Sequence, residues 1–108
     1  MPFTKGFASW ADLSDHFTKH VLQRREFNVA TEAEYEALAD AFLGGPMDQH
    51  TEECVRPRDH DKIRFNKITN EFGVLRSDGY IRTYFRASTK RHSHPTNLDY
   101  FIWECNQT

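Results

Sequence analysis

Lys19-His20 falls on a stretch with helical periodicity, and Arg82-Thr83-Tyr84-Phe85-Arg86 falls on one with β alternation. Together they hold the side chains that phosphate chemistry uses. An imidazole titrates near neutrality, so His20 is able to accept or donate a proton at cellular pH. Lys19 beside it places positive charge near a phosphate. Arg82 offers a planar pair of donors to phosphoryl oxygens, and the Thr83 hydroxyl adds another. Tyr100 and Asn97 are polar groups at the start of a further predicted strand. Arg64, Arg86, Tyr84 and Phe85 complete a basic-aromatic set of the kind that meets phosphates with cations and bases with rings. The set points to RNA.

Six histidines raise the question of a metal. His16 and His20 are four apart on one helix, as zinc-binding pairs often are. No Asp, Glu, His or Cys has the spacing to complete a site, and His92-Ser93-His94 lies next to Lys90 and Arg91. No metal is therefore expected, and His16 reads as a solvated helix residue. Cys54 and Cys105, 51 positions apart, form no metal motif and read as two free thiols. A bridge between them becomes the better reading if the chain passes through an oxidising compartment.

The elements that must position these groups are legible from caps and periodicity. Ser9-Trp10-Ala11-Asp12 has the form of a capping box, and Trp10, Leu13, Phe17 and Val21 recur at helical spacing. That predicts a helix over 10–22, with His20 at the border of its apolar stripe. Thr31-Glu32-Ala33-Glu34 opens a second helix with Tyr35, Leu38, Ala39 and Phe42 on one side. Gly44-Gly45-Pro46 closes it, glycine as the C-terminal cap and proline as the stop. Beyond residue 50 short strands are predicted near 53–57, 62–66, 70–76, 80–86 and 98–104. Asp78-Gly79 is a hairpin turn between the third and fourth, since glycine tolerates positive φ. On the fourth strand, alternation sets Ile81, Thr83 and Phe85 against Tyr80, Arg82, Tyr84 and Arg86. Trp103 and Phe101 are assigned to the core. Residues 87–96 have no apolar anchor and are expected to form a basic, mobile loop. The pattern predicts one α+β domain over 1–108, with two N-terminal helices packed on one face of an antiparallel sheet of four to five strands.

The formal net charge of −2 conceals a segregation. Residues 1–54 carry four basic against ten acidic side chains, residues 55–96 ten basic against four acidic. A polyanion is drawn to the middle of the chain. No apolar run approaches the roughly 20 residues needed to cross a bilayer. The opening Met1-Pro2-Phe3-Thr4-Lys5-Gly6 lacks the apolar stretch of a secretory signal, so the chain reads as cytosolic or as the tail of something longer.

The order of pieces resembles the C-terminal toxin domains of bacterial contact-dependent and polymorphic toxin systems, within the barnase/EndoU/colicin/RelE-like ribonuclease superfamily. The resemblance rests on Asp15-His16-Phe17-Thr18-Lys19-His20, Glu26-Phe27, Glu34-Tyr35-Glu36-Ala37-Leu38-Ala39 and Cys54-Val55-Arg56-Pro57. It continues through Lys62-Ile63-Arg64-Phe65-Asn66, Thr69-Asn70-Glu71-Phe72-Gly73-Val74, Asp78-Gly79-Tyr80-Ile81-Arg82-Thr83-Tyr84-Phe85 and Asn97-Leu98-Asp99-Tyr100-Phe101. The layout is similar to the colicin D group, in which a Lys-His pair on an early helix faces a strand bearing a hydroxyl and an aromatic. The resemblance implies His20 as general acid or base, Lys19 as its cationic neighbour, Thr83 as phosphate holder and Phe85 as support. Arg86-Ala87 stands where the family tends to have Lys-Pro, which keeps the charge. The implied activity is metal-independent cleavage of RNA, with tRNA as target, by attack of the 2′-hydroxyl to leave a 2′,3′-cyclic phosphate. Tyr100 and His16 are candidates for the second proton. Also implied are a cognate immunity protein, expected to be acidic, and delivery into a target-cell cytoplasm from a larger secreted protein. The alternative is a non-catalytic RNA-binding or ribosome-associated module. A metal-dependent DNA nuclease is disfavoured, because the carboxylate and histidine cluster such a mechanism wants is missing.

Overall fold

A computed structural model describes residues 2–108. Its elements are α1 (Trp10–Phe17), α2 (Glu32–Gly44), β1 (Thr51–Val55), β2 (Lys62–Asn66), β3 (Glu71–Leu75), β4 (Ile81–Arg86) and α3 (Asn97–Cys105), with a π-helical turn Thr18–Gln23 continuing α1. The four strands form one antiparallel sheet in the order β1-β2-β3-β4. This is the expected α+β architecture, with α1 and α2 on one face of the sheet.

Both N-terminal caps form as their sequences require. The Ser9 side chain accepts from Asp12 N, and Thr31 accepts from Glu34 N. On α2 the buried residues are Tyr35, Ala39 and Leu43, each 0% exposed, one helical turn apart. Leu38, placed in the stripe from sequence, is exposed instead, and so is Trp10 on α1. Leu43 presses on β3 at Gly73, where a Cβ would come within 2.8 Å of the leucine methyl. The glycine is what allows α2 to approach the sheet so closely. Gly45 caps α2 as expected, with φ −80° and its N–H donating to Ala41 O. The Asp78-Gly79 turn forms as predicted, with Gly79 at φ 97° and Arg76 N donating to Tyr80 O.

The fifth strand does not form. Residues 97–105 are α3, opened by Thr96, whose side chain accepts from Asp99 N. Thr96-Asn97-Leu98-Asp99 repeats the capping form that opens α1 and α2, and this local signal outweighs the β propensity of Tyr100-Phe101-Ile102-Trp103. The helix lies on the sheet face opposite α2, inserting Phe101 against Phe65 and Phe72 at ring-centroid distances of 5.7 and 6.3 Å. Burying one such ring stabilises by about 1.5–3 kcal/mol. Trp103, assigned to the core from sequence, remains 47% exposed. The two cysteines are not free: Cys54 and Cys105 form a disulfide that ties the last turn of α3 to β1.

A second tie holds α3 from the same end. Arg56, 3% exposed, donates to Asp59, Asp61 and Glu104 of α3, while Arg82 donates from β4 to Asp61. The Arg56 guanidinium, hydrogen-bonded to Asp59, holds that carboxyl down to about 2. Both arginines here are neutralised by carboxylates.

Candidate functional site

The site is built at the β4 edge. After α1 the chain takes a π-helical turn, closed by Arg24 N donating to Lys19 O at 3.0 Å. Such turns recur at functional sites because the extra residue re-aims the side chains around it. Here it carries His20 past the edge strand. The His20 ring stacks on Phe85 of the α3 face, centroids 5.5 Å apart, while its neighbour Val21 stays in the core beneath α2. Arg25 then adopts φ 52°, a left-handed conformation that is strained for a residue with a Cβ. This reversal returns the chain so that Glu26 meets His20.

Glu26 was not singled out as a site residue, and no spacing rule finds it. Its Oε1 accepts from Arg86 N at 2.9 Å and lies 3.1 Å from His20 Nδ1. A carboxylate only accepts, so Nδ1 carries the proton shared with Glu26, and Nε2 is the nitrogen left to exchange one. His20 is only 3% exposed, yet among the described residues Nε2 has no hydrogen-bond partner, and it is not sealed from solvent. The imidazole is held at one nitrogen and available at the other.

In front of the ring lies a cleft of about 430 Å³ lined by Lys19, His20, Arg24, Thr83, Phe85, Arg86, Ser88, Lys90, Arg91, His92 and Tyr100. Lys19, Arg24, Lys90 and Arg91 make no ion pair among the described residues. Arg86 is anchored differently: its guanidinium donates to Glu26 O and Thr69 O and lies over the Phe27 ring. Burial raises the pKa of the Tyr100 phenol, so its hydroxyl is a proton-bearing donor at neutral pH. The loop 87–96 is not free of anchors as expected. His92 stacks on Tyr100 at 4.6 Å, lies 2.8 Å from Asn97 Oδ1 and accepts at Nδ1 from His94 N. A larger hollow of about 560 Å³, between the N-terminal segment and α2, contains no histidine or cysteine.

The structure thus brings together His20, Lys19, Thr83, Phe85, Arg86 and Tyr100. Asn97 stands behind them, donating to Asn70 Oδ1 and Ala87 O and so fixing the loop, with no place on the cleft wall. Like Asn97, three further candidates lie outside the cleft. Arg82 does not line the cleft, because Asp61 draws its side chain toward the Arg56 cluster. Arg64 is buried on the α2 side, where it pairs with Glu53 and donates to the carbonyls of Phe42 and Gly45. Tyr84 is 1% exposed, packed among Phe27, Tyr35 and Phe42, with its hydroxyl donating to Glu71. Its side of β4 is indeed opposite Thr83 and Phe85, but helices cover that side. A register shift between Val74 and Leu75 also sets Ile81 on the Tyr84 side. His16, read as solvated, is wedged between Phe7 and His20 with Nδ1 buried and unpartnered. Burial first, then the positive field of His20 and Lys19, lowers its pKa. No group of three or more candidate metal ligands occurs among the described residues.

The fold is similar to that of a ribonuclease from Escherichia coli solved in complex with its inhibitor protein. The TM-score is 0.53 at 17% sequence identity, over 85% of this chain and 95% of that one. No protein-family model matches the chain, and no curated protein does.

Proposed function

We propose that this chain is a metal-independent endoribonuclease, the toxin of a toxin–immunity pair, with tRNA as its target. The observation that carries the reading is His20: one ring nitrogen is held by Glu26, and the other is free beside a cleft walled by unpaired cations. The likeness to a ribonuclease solved with its inhibitor supports the reading at the level of fold.

In the proposed reaction Nε2 of His20 removes the 2′-hydroxyl proton. The 2′ oxygen attacks the adjacent phosphorus, the bond from phosphorus to the 5′ oxygen breaks, and that oxygen takes up a proton. The products are a 2′,3′-cyclic phosphate and a 5′-hydroxyl. Lys19, Lys90 and Arg91 offset the charge that builds on the phosphoryl oxygens, in a cleft where their attraction is less screened than in water. Thr83 and the Tyr100 hydroxyl donate to the same oxygens. Tyr100, on the cleft wall, is the proposed donor of the proton to the leaving oxygen. His16 is not, since it sits behind His20 and away from the cleft wall.

The immunity partner is proposed to be acidic and to cover this cleft, so complex formation should weaken steeply with salt. The Cys54–Cys105 bridge supports a life stage in an oxidising compartment, as delivery from a larger secreted protein requires. Incubation with total tRNA in EDTA, followed by mapping of the ends, tests the activity. Cyclic phosphate ends made by the wild type and not by His20→Ala are expected. RNA binding without any scission by the wild type would instead favour the binding-module reading.

A further inference from the structure

The ring that the sequence offers for stacking a base, Tyr84, is buried, yet the cleft continues into rings that are not. Tyr100 and His92 line its wall in near-parallel contact, centroids 4.6 Å apart and planes 8° apart. From there the array runs outward along α3. Trp103 lies one turn from Tyr100 at 6.4 Å, and His94 of the loop touches both, at 5.8 Å from Tyr100 and 5.2 Å from Trp103. Trp103 is 47% exposed. The array is rigid from below. His92 is held at both nitrogens by Asn97 and the His94 amide, Asn97 by Asn70 and Ala87, and α3 by the disulfide and the Arg56–Glu104 pair.

Resting on the ribonuclease reading for the position of the scissile phosphate, we propose that Trp103, with Tyr100, His92 and His94, seats an unpaired nucleobase neighbouring that phosphate. The substrate is then an unpaired RNA segment and not a duplex. A strand whose phosphates meet Lys90 and Arg91 runs beside these rings, because the same loop supplies both. Rings interleaved with cations are what single strands need, since every base has a π face and every linkage a charge. In a duplex the bases are stacked on one another and unavailable. The exposed Leu98 and Ile102 occupy a different strip of α3 and take no part in the array.

The test uses the wild-type protein and a fluorescent single-stranded oligonucleotide with 2′-O-methyl riboses, which keeps bases and phosphates but cannot be cut. Trp103→Ala should weaken binding about tenfold, and Trp103→Phe should restore most of it. An abasic position walked along the strand should find one site at which the wild type loses a similar factor and Trp103→Ala loses nothing more. On cleavable RNA the same variant should raise KM and leave kcat unchanged. Unaltered binding by Trp103→Ala, losses that multiply instead of overlapping, or equal Trp103 dependence with a duplex would overturn the proposal. So would a Trp103→Ala protein that keeps its RNA affinity but loses an acidic inhibitor protein. The two readings fail separately. Trp103-dependent binding with no scission in EDTA sinks the ribonuclease and spares the seat; scission indifferent to Trp103 does the reverse.

Discussion

Two cationic regions on the α3 side of the sheet have opposite fates. At one end, Arg56 and Arg82 face Asp59, Asp61 and Glu104, and every guanidinium has a carboxylate in contact. At the other, Lys19, Arg24, Lys90 and Arg91 border the cleft with no such partner among the described residues, and Glu26 is already engaged by His20 and the Arg86 amide. The first region spends its charge on holding α3 against β1 and β4. The second leaves its charge uncompensated beside the cleft. Density of arginine in a sequence does not separate these cases; the position of the nearest carboxylate does.

The comparison breaks most visibly at His20. Replacing it with alanine should lower the proposed RNA cleavage by about 10²–10⁴-fold, the range for a positioned proton-transfer group. Arg82→Ala should leave the rate within about threefold, because Arg82 lies outside the cleft, and a loss matching that of His20→Ala would return it to the site. Arg56→Met should lower unfolding stability by about 3–5 kcal/mol in urea titrations, since Asp61 and its neighbours would then be buried charges with less compensation. No such loss should accompany Lys90→Ala. Instead, the salt dependence of RNA binding for Lys90→Ala should flatten by about 0.7 in log–log slope, as expected for one fewer phosphate contact on a single strand. An unchanged slope would mean that Lys90 does not reach the strand.

The smallest effect concerns His16. Burial keeps its folded-state pKa below the ordinary 6.5 of an imidazole, so the unfolded chain binds that proton more readily. The stabilisation is complete above 6.5 and is lost as pH falls through and below it. His16→Phe keeps the stacking on Phe7 and His20 while removing the orphaned Nδ1. Thermal unfolding of this variant should lose less stability between neutral and mildly acidic pH than the wild type does, and parallel curves would refute the assignment.

How much of this was legible in the sequence follows from the range of each interaction. The caps at Ser9 and Thr31 and the Asp78-Gly79 turn depend on neighbours within a few residues, and they came out as read; the alternation of β4 held from Thr83 to Phe85 but not at Ile81, where a register shift intervenes. The cap at Thr96 was equally local but was outweighed by the aromatic run behind it. His20, Lys19, Thr83 and Phe85 were found by pattern and do converge. Glu26 was not, because its role depends on a left-handed Arg25 and on an Arg86 amide 60 positions away. Arg82, Arg64 and Tyr84 were misplaced for a related reason: residue type says what a side chain can bind, not which partner reaches it first.

The chain by itself determined its two N-terminal helices, the four strands of its sheet and the Lys-His and Thr-Phe pairs, because helix periodicity, strand alternation and turn chemistry are short-range and additive. Tertiary structure alone decided which cations stay unpaired, that Cys54 meets Cys105, and that the α3 rings rather than Tyr84 face the solvent. Those outcomes depend on contacts between segments far apart in sequence, where burial and charge pairing compete and packing settles which one prevails.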